Sequence, residues 1–190
     1  MKKKLAKFSF TLIISGVDFE DERLEDYLFD ASCGDATIIV QNGVLMLDFS
    51  RSAKNYIQAV CSAIEDVEGT KLGARVVKVE PDNFVSRSEI ARRMAVSRQY
   101  VAKLFKDSHE VPLPVINISG ESPLWSWQEI AGWLYRKRGL EKAKAWLIDA
   151  RIREFINMEL HRRLAARIAR QSRSGESRLR QDRLAIHANR

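Results

Sequence analysis

The chain has 190 residues, 45% hydrophobic and 30% charged; this composition excludes a largely disordered or fibrous protein and leaves room for one or two globular domains. Charge is divided by position: residues 1–8 hold four Lys and no acid, residues 9–85 hold 14 acidic against 6 basic, and residues 86–190 hold 22 basic against 11 acidic. A polyanion is drawn to the rear half and repelled by the front, and no apolar run approaches the roughly 20 residues of a membrane span.

MKKKLAKFSFTLIISGV opens with a basic start and a short apolar stretch. Ser9, Thr11 and Ser15 interrupt that stretch, and the acidic run DFEDE stands where a cleavage site would be, so a strand is expected rather than an export signal. FSFTLIISG, rich in β-branched and aromatic residues and ended by Gly16, supplies it. Asp18 is expected to cap a first helix, with Glu20, Asp21 and Glu22 at the positive end of its dipole. Leu24, Tyr27, Leu28 and Ala31 follow at helical spacing, and Gly34 breaks the pattern. In ATIIVQNGVLMLDFS two apolar runs flank Asn42-Gly43, the pair favoured where both turn residues need positive φ. Ser52 is the expected cap of a second helix whose inner face is Ile57, Val60, Cys61 and Ile64; ARVVKVE is a last strand.

This β-α-β-β-α-β order over residues 8–80 predicts an α+β chain opening on a ferredoxin-like sandwich, with two helices on one face of an antiparallel sheet. RNA-recognition modules share that topology but stack bases on sheet aromatics and carry positive charge; these strands are mainly aliphatic and the segment acidic. Helix-start acids account for DFEDERLED without a metal. The front domain is therefore expected to bind a protein partner, to dimerise or to regulate.

Pro81 marks a junction. In SRSEIARRMAVSRQYVAKLF two short helical patterns then meet at Ala95-Val96-Ser97. Ser86 or Ser88 caps the first, which points Ile90, Ala91 and Met94 inward; Ser97 caps the second, which points Val101 and Leu104 inward. Its other face carries Arg98, Gln99, Ala102, Lys103 and Lys106. Arg and Gln suit guanine and adenine edges, and Lys suits phosphate.

This spacing resembles the DNA-binding helix-turn-helix. Ile90-Ala91 match its hydrophobic–Ala pair, Met94, Val96, Val101 and Leu104 its other core positions, and Ala95 stands where that family usually has Gly. VPLPVINISGESPLW then predicts a short extended hairpin stiffened by Pro112 and Pro114, with Ser119-Gly120 at its tip. SWQEIAGWL begins a helix with Ser126 as cap and Glu129 three residues on. Together, residues 84–138 resemble the winged helix-turn-helix domains of the excisionase, AlpA and MerR group, the likeness lying in residues 84–135. The resemblance implies that the second helix enters the major groove, with Arg98, Gln99, Lys103 and Lys106 as groove or phosphate contacts and Asn117, Ser119 and Gly120 as wing contacts. Arg87, Ser97, Tyr100 and Ala102 complete the expected contact set. Trp125, Trp127, Ile130, Trp133 and Leu134 have helical spacing and are expected in the core.

Residues 141–171 predict a long amphipathic helix in which Ile148, Ile152, Ile156, Leu160, Leu164 and Ile168 recur every four residues, with Phe155 beside them. Such a stripe docks on its own domain or on a second subunit. The MerR resemblance implies a homodimer. Residues 172–190, basic and polar, are expected to form a disordered arm touching phosphates.

Cys33 and Cys61 lie far apart, and His109, His161 and His187 are scattered, which gives no disulfide framework and no zinc-ligand spacing. A reducing cytoplasm is the expected setting, with no cofactor. No Ser/His/Asp or Cys/His set is evident, so no enzyme is expected. The expectation is a sequence-specific regulator of transcription, a repressor or autoregulator, whose partner is double-stranded DNA and which has no membrane contact. Two alternatives stay open. One is an antitoxin-like or phage-derived protein whose acidic N-terminal domain binds a protein partner. The other is an excisionase-like factor that bends DNA.

Overall fold

The computed structural model describes the backbone of residues 5–108 and 110–188 and the side chains of residues 5–108 and 110–172. Three of the four N-terminal lysines, His109 and the side chains of residues 173–190 of the expected basic arm lie outside the described residues. The elements run β1 (Ala6–Ser15), α1 (Leu24–Asp30), β2 (Ala36–Gln41), β3 (Val44–Ala53), α2 (Tyr56–Glu68) and β4 (Arg75–Glu80). They continue with β5 (Phe84–Val85), α3 (Arg87–Met94), α4 (Arg98–Lys106), β6 (Trp125–Ser126), α5 (Trp127–Arg138) and α6 (Ala143–Ala188). The protein is mixed α+β, and its main sheet is antiparallel in the order β2-β3-β1-β4.

Strand periodicity builds the first core. Phe10, Leu12 and Ile14 of β1 and Leu45, Leu47 and Phe49 of β3 alternate onto one face, where α1 adds Leu24 and Leu28 and α2 adds Ala59, Val60, Ala63 and Val67. Phe10 and Phe49 stack with ring centroids 5.4 Å apart. The β2–β3 turn uses Asn42 and Gly43, both at positive φ as the two-residue hairpin requires.

Local signals mislead at the helix starts. Asp18 caps no helix: its carboxylate accepts from the Glu20 N–H at 3.0 Å, and Asp21 accepts from Arg23 at 2.9 Å, so these acids close turns ahead of α1. Asn55, not Ser52, caps α2, accepting from the Gln58 N–H at 2.9 Å. Ser52 still belongs to β3, where it faces Lys7 across the pair. The later start turns α2 so that Tyr56 and Ala59 are buried and Ile57 is 43% exposed.

Arg51 is charged yet only 7% exposed. It grips Asp35 through Nε and Nη2, both at 2.9 Å, reaches Asp66 at 2.6 Å and Ser62 at 3.1 Å through Nη1, and donates to the Ser32 carbonyl at 3.1 Å. This fan fixes the loop between α1 and β2 onto α2. Cys33 of that loop is buried, which together with the Asp66 charge pushes its thiol up to about 11 and keeps it protonated at neutral pH.

The second core gathers Ile90, Ala91 and Met94 of α3, Val101 and Leu104 of α4, and Trp125, Trp127, Ile130, Trp133 and Leu134 around α5, as their spacing predicts. The expected wing hairpin is not a pair of strands. Residues 112–124 form a loop closed by one bridge, Ile116 to Leu124, and the small sheet is instead β5 against β6, pairing Val85 with Trp125. Prolines at 112, 114 and 123 remove ladder donors on both sides of that loop.

α6 spans both cores. Ala143, Leu147 and Ala150 enter the second, and Ile156 and Leu160 enter the first with Ile152 beside them. The apolar stripe therefore docks on its own chain over much of its length. Its ends differ: Ile148 and Ile168 are exposed, and so is Phe155. The helical backbone continues to Ala188, through the stretch expected as an irregular arm. That stretch is rich in Arg, a good helix former. Among the described residues, no helix is long and apolar enough to cross a membrane.

Candidate nucleic-acid interface

Local hydrogen bonds set the angle between α3 and α4. Ser86 opens α3 by accepting from the Glu89 N–H at 3.2 Å. The helix ends at Ala95, which takes the left-handed conformation at φ 57° and ψ 46°. The Ala95 N–H then bonds the Arg92 carbonyl at 3.1 Å and the Val96 N–H bonds the Ala91 carbonyl at 3.0 Å, satisfying the last turn as the chain reverses. Two residues later Ser97 accepts from the Tyr100 N–H at 3.1 Å and opens α4. This is why Ala95, Val96 and Ser97 have the residue types they do: small, apolar, capping.

α4 is held from inside. Val101 and Leu104 are buried, and Phe105 meets Trp125 and Trp133 edge-on at 5.4 and 6.1 Å. With about 3.6 residues per turn, Gln99, Ala102, Lys103 and Lys106 face the other way and Arg98 and Tyr100 flank them. All six are exposed, as are Ser97 and Arg87. Arg98, Lys103 and Lys106 make no side-chain hydrogen bond or ion pair with any described residue.

Neighbouring arginines are committed elsewhere. Glu89 takes Arg92 with both oxygens at 2.7 Å and Arg93 at 2.7 Å. The Arg92 hydrogen bonds hold the Glu89 carboxyl at about 2, with Arg93 adding to the effect and partial burial opposing it. Arg93 also donates to the Asp82 carbonyl at 2.6 Å and lies 5.2 Å over the Trp127 ring, and its burial pulls its own pKa down. It fastens the helix pair to the chain junction. Arg87 sits at the start of α3 with its guanidinium 5.4 Å over Trp125.

The wing candidates occupy a separate element. Asn117, at φ 51°, turns the chain, the Gly120 N–H bonds its carbonyl at 3.0 Å, and its side chain donates to the Ser122 carbonyl at 3.4 Å. Asn117 thus shapes the tip, while Ser119 and Gly120 are exposed on it. Trp125 anchors the base, donating from Nε1 to the Pro112 carbonyl at 3.1 Å. No hydrogen bond or ion pair among the described residues ties the tip to α4.

Sequence reasoning missed Arg136, Lys137 and Arg138 in the last turn of α5. Basic residues there suit the negative end of the helix dipole, and that role masks any other. Lys137 and Arg138 line a cleft of about 290 Å³ with Tyr100, which brings their charge beside α4. Among the described residues, no group of three or more His, Cys, Asp or Glu could hold a metal ion. Comparison with protein-family models, with curated proteins and with solved structures finds no match to this chain.

Proposed function

We propose that the protein is a sequence-specific DNA-binding regulator that acts without catalysis and reads the major groove with α4. One observation carries this reading: α4 buries Val101 and Leu104 while its outward side leaves Gln99, Lys103 and Lys106 exposed with Arg98 at their flank, and the three cations make no side-chain hydrogen bond or ion pair with any described residue. Exposed cations gathered on one side of a short helix create a positive potential that attracts a polyanion. A helix of nine residues whose outward side chains are long, cationic or amide-bearing suits a groove about 12 Å wide.

The finer architecture belongs to the same proposal. β1 to β4 with α1 and α2 are read as a ferredoxin-like sandwich, and β5 to α5 as a winged helix-turn-helix with residues 112–124 as the wing. Lys103 and Lys106 supply phosphate contacts, Arg98 and Gln99 the base contacts, and Ser119 and Gly120 a backbone contact from the wing. A regulator of this kind works in the cytoplasm. Selection of bound fragments from genomic DNA, followed by sequencing and a salt titration, tests the reading. A recurrent motif whose affinity falls when Arg98 or Gln99 is truncated is expected. Binding without sequence preference, or none at low salt, overturns it.

A further inference from the structure

We propose that two copies of the chain join by pairing their β2 strands edge to edge, antiparallel, about a two-fold axis. The sheet ends on one side at β4 and on the other at β2. The β4 edge is closed by the chain itself, because Asn157 of α6 accepts from the Val79 N–H at 2.7 Å and donates to its carbonyl at 2.9 Å. Among the described residues, nothing pairs with the outer edge of β2.

Natural edges are guarded by lysine, proline or a bulge. β2 has none of these: residues 36–47 contain no charged residue and no proline. That matters in a domain with 14 acidic against 6 basic residues over 9–85. Two such domains repel each other over most of their surface and can approach along an uncharged strip. A two-fold axis puts two copies of every strand residue into one short ladder, so any charge on the strand would lie close to its own like charge; Thr37, Ile39, Val40 and Gln41 bring none. An antiparallel edge is also its own complement in backbone donors and acceptors.

A knob and a groove lie on the same margin. Phe29 of α1 is 73% exposed, and it borders a groove of about 530 Å³ that runs along β2 over Leu28, Cys33, Ile38 and Leu47, with Glu25 and Asp26 of α1 on its far wall. Val40 is 47% exposed beside it. In the pair, each Phe29 covers apolar surface of the other copy. This inference stands apart from the DNA reading; a monomer that selects a motif would sink the first and leave the second.

The test is sedimentation of the full chain over a concentration series up to about 100 µM. A dimer of the 21.8 kDa chain is expected. Val40→Lys puts a like charge from each copy into that short ladder and is expected to weaken dimerisation by at least about 30-fold while circular dichroism stays native. Phe29→Ser, at an exposed position of α1, is expected to weaken it about 10-fold. Ile168→Lys, on the exposed end of α6, is expected to change nothing. A wild type monomeric throughout overturns the proposal. So does a folded Val40→Lys protein that dimerises like wild type, or, where that variant fails to fold, a Phe29→Ser protein that does. Dissociation by Ile168→Lys alone would move the interface to α6 and overturn it equally.

Discussion

Asn157 and Val79 are joined by two hydrogen bonds across 78 positions of sequence, the side-chain oxygen accepting from the Val79 N–H at 2.7 Å and the side-chain nitrogen donating to the Val79 carbonyl at 2.9 Å. The amide stands in for a missing strand at the β4 edge. Asn157→Leu keeps the volume and removes both bonds, leaving a backbone donor and acceptor under α6 without partners. A loss of about 2 kcal/mol is expected in urea denaturation, because orphaned buried groups cost about 1–3 kcal/mol. A change below about 0.5 kcal/mol would mean that water replaces the amide at that edge.

Ala95 holds a left-handed backbone that a Cβ disfavours. It is exposed, so glycine would remove that strain without leaving a cavity. Ala95→Gly is expected to raise stability by about 1 kcal/mol, less whatever the freer unfolded chain takes back. The same substitution in mid-helix would lower stability, so a loss here would show that the turn does not adopt this conformation in solution.

Much of this was legible from sequence wherever a residue's neighbours along the chain decide its place. Asn42-Gly43 needs positive φ, and Ser86, Ser97 and Ser126 need only a free N–H three residues on. The tryptophans fell to the core because their period is helical. What was hidden depends on distant partners. Ser52 looks like a cap as good as Asn55, and only its pairing with Lys7 keeps it in a strand. Arg51 reads as one more surface charge until Asp35, Asp66 and the Ser32 carbonyl surround it. α6 carries two registers at once, Ala143, Leu147 and Ala150 toward one core and Ile152, Ile156 and Leu160 toward the other, so a single stripe described only half of its contacts. The outward face of α4 was legible for a plain reason: once Val101 and Leu104 are inside, helix geometry places the rest.

Arg51 supplies a stability test in the front domain. Its partners Asp35 and Asp66 keep 33% and 31% of their side-chain surface in water. Arg51→Leu therefore leaves two carboxylates that can rehydrate, and the expected loss is about 2–3 kcal/mol rather than the 3–5 typical of a fully buried pair. Arg51→Lys is expected to recover little, because one ammonium cannot span Asp35, Asp66 and the Ser32 carbonyl together. Chemical denaturation of both variants checks this, and a lysine variant as stable as wild type would show that charge alone suffices.

The Glu89 carboxyl ties stability to pH. Its folded pKa is about 2, below the ordinary 4.5, through its bonds to Arg92 and then Arg93. A depressed carboxylate contributes stability fully above pH 4.5 and loses it as pH falls from there toward 2. Allowing for solvent screening, Glu89→Gln is expected to cost about 1 kcal/mol at pH 7, a cost that fades as pH falls through about 2. Denaturation curves for both proteins should converge on acidification. Parallel curves across that window would mean that the pair forms no bond of consequence.

The last test separates contact from charge on α4. A side chain bound to phosphate contributes through counterion release, whatever the base sequence. Lys103→Ala and Lys106→Ala are therefore each expected to reduce the slope of log affinity against log salt by about 1, with the preferred motif unchanged. Arg98 flanks the same face, and its guanidinium is free to form the fork that fits a guanine edge. Arg98→Ala is expected to cost about 1–3 kcal/mol on the preferred motif and little on unrelated DNA. If instead all three variants lower affinity equally on every sequence, α4 touches only backbone and the choice of site lies elsewhere. If none changes affinity, the helix does not meet DNA, and the unpaired cations belong to another anion.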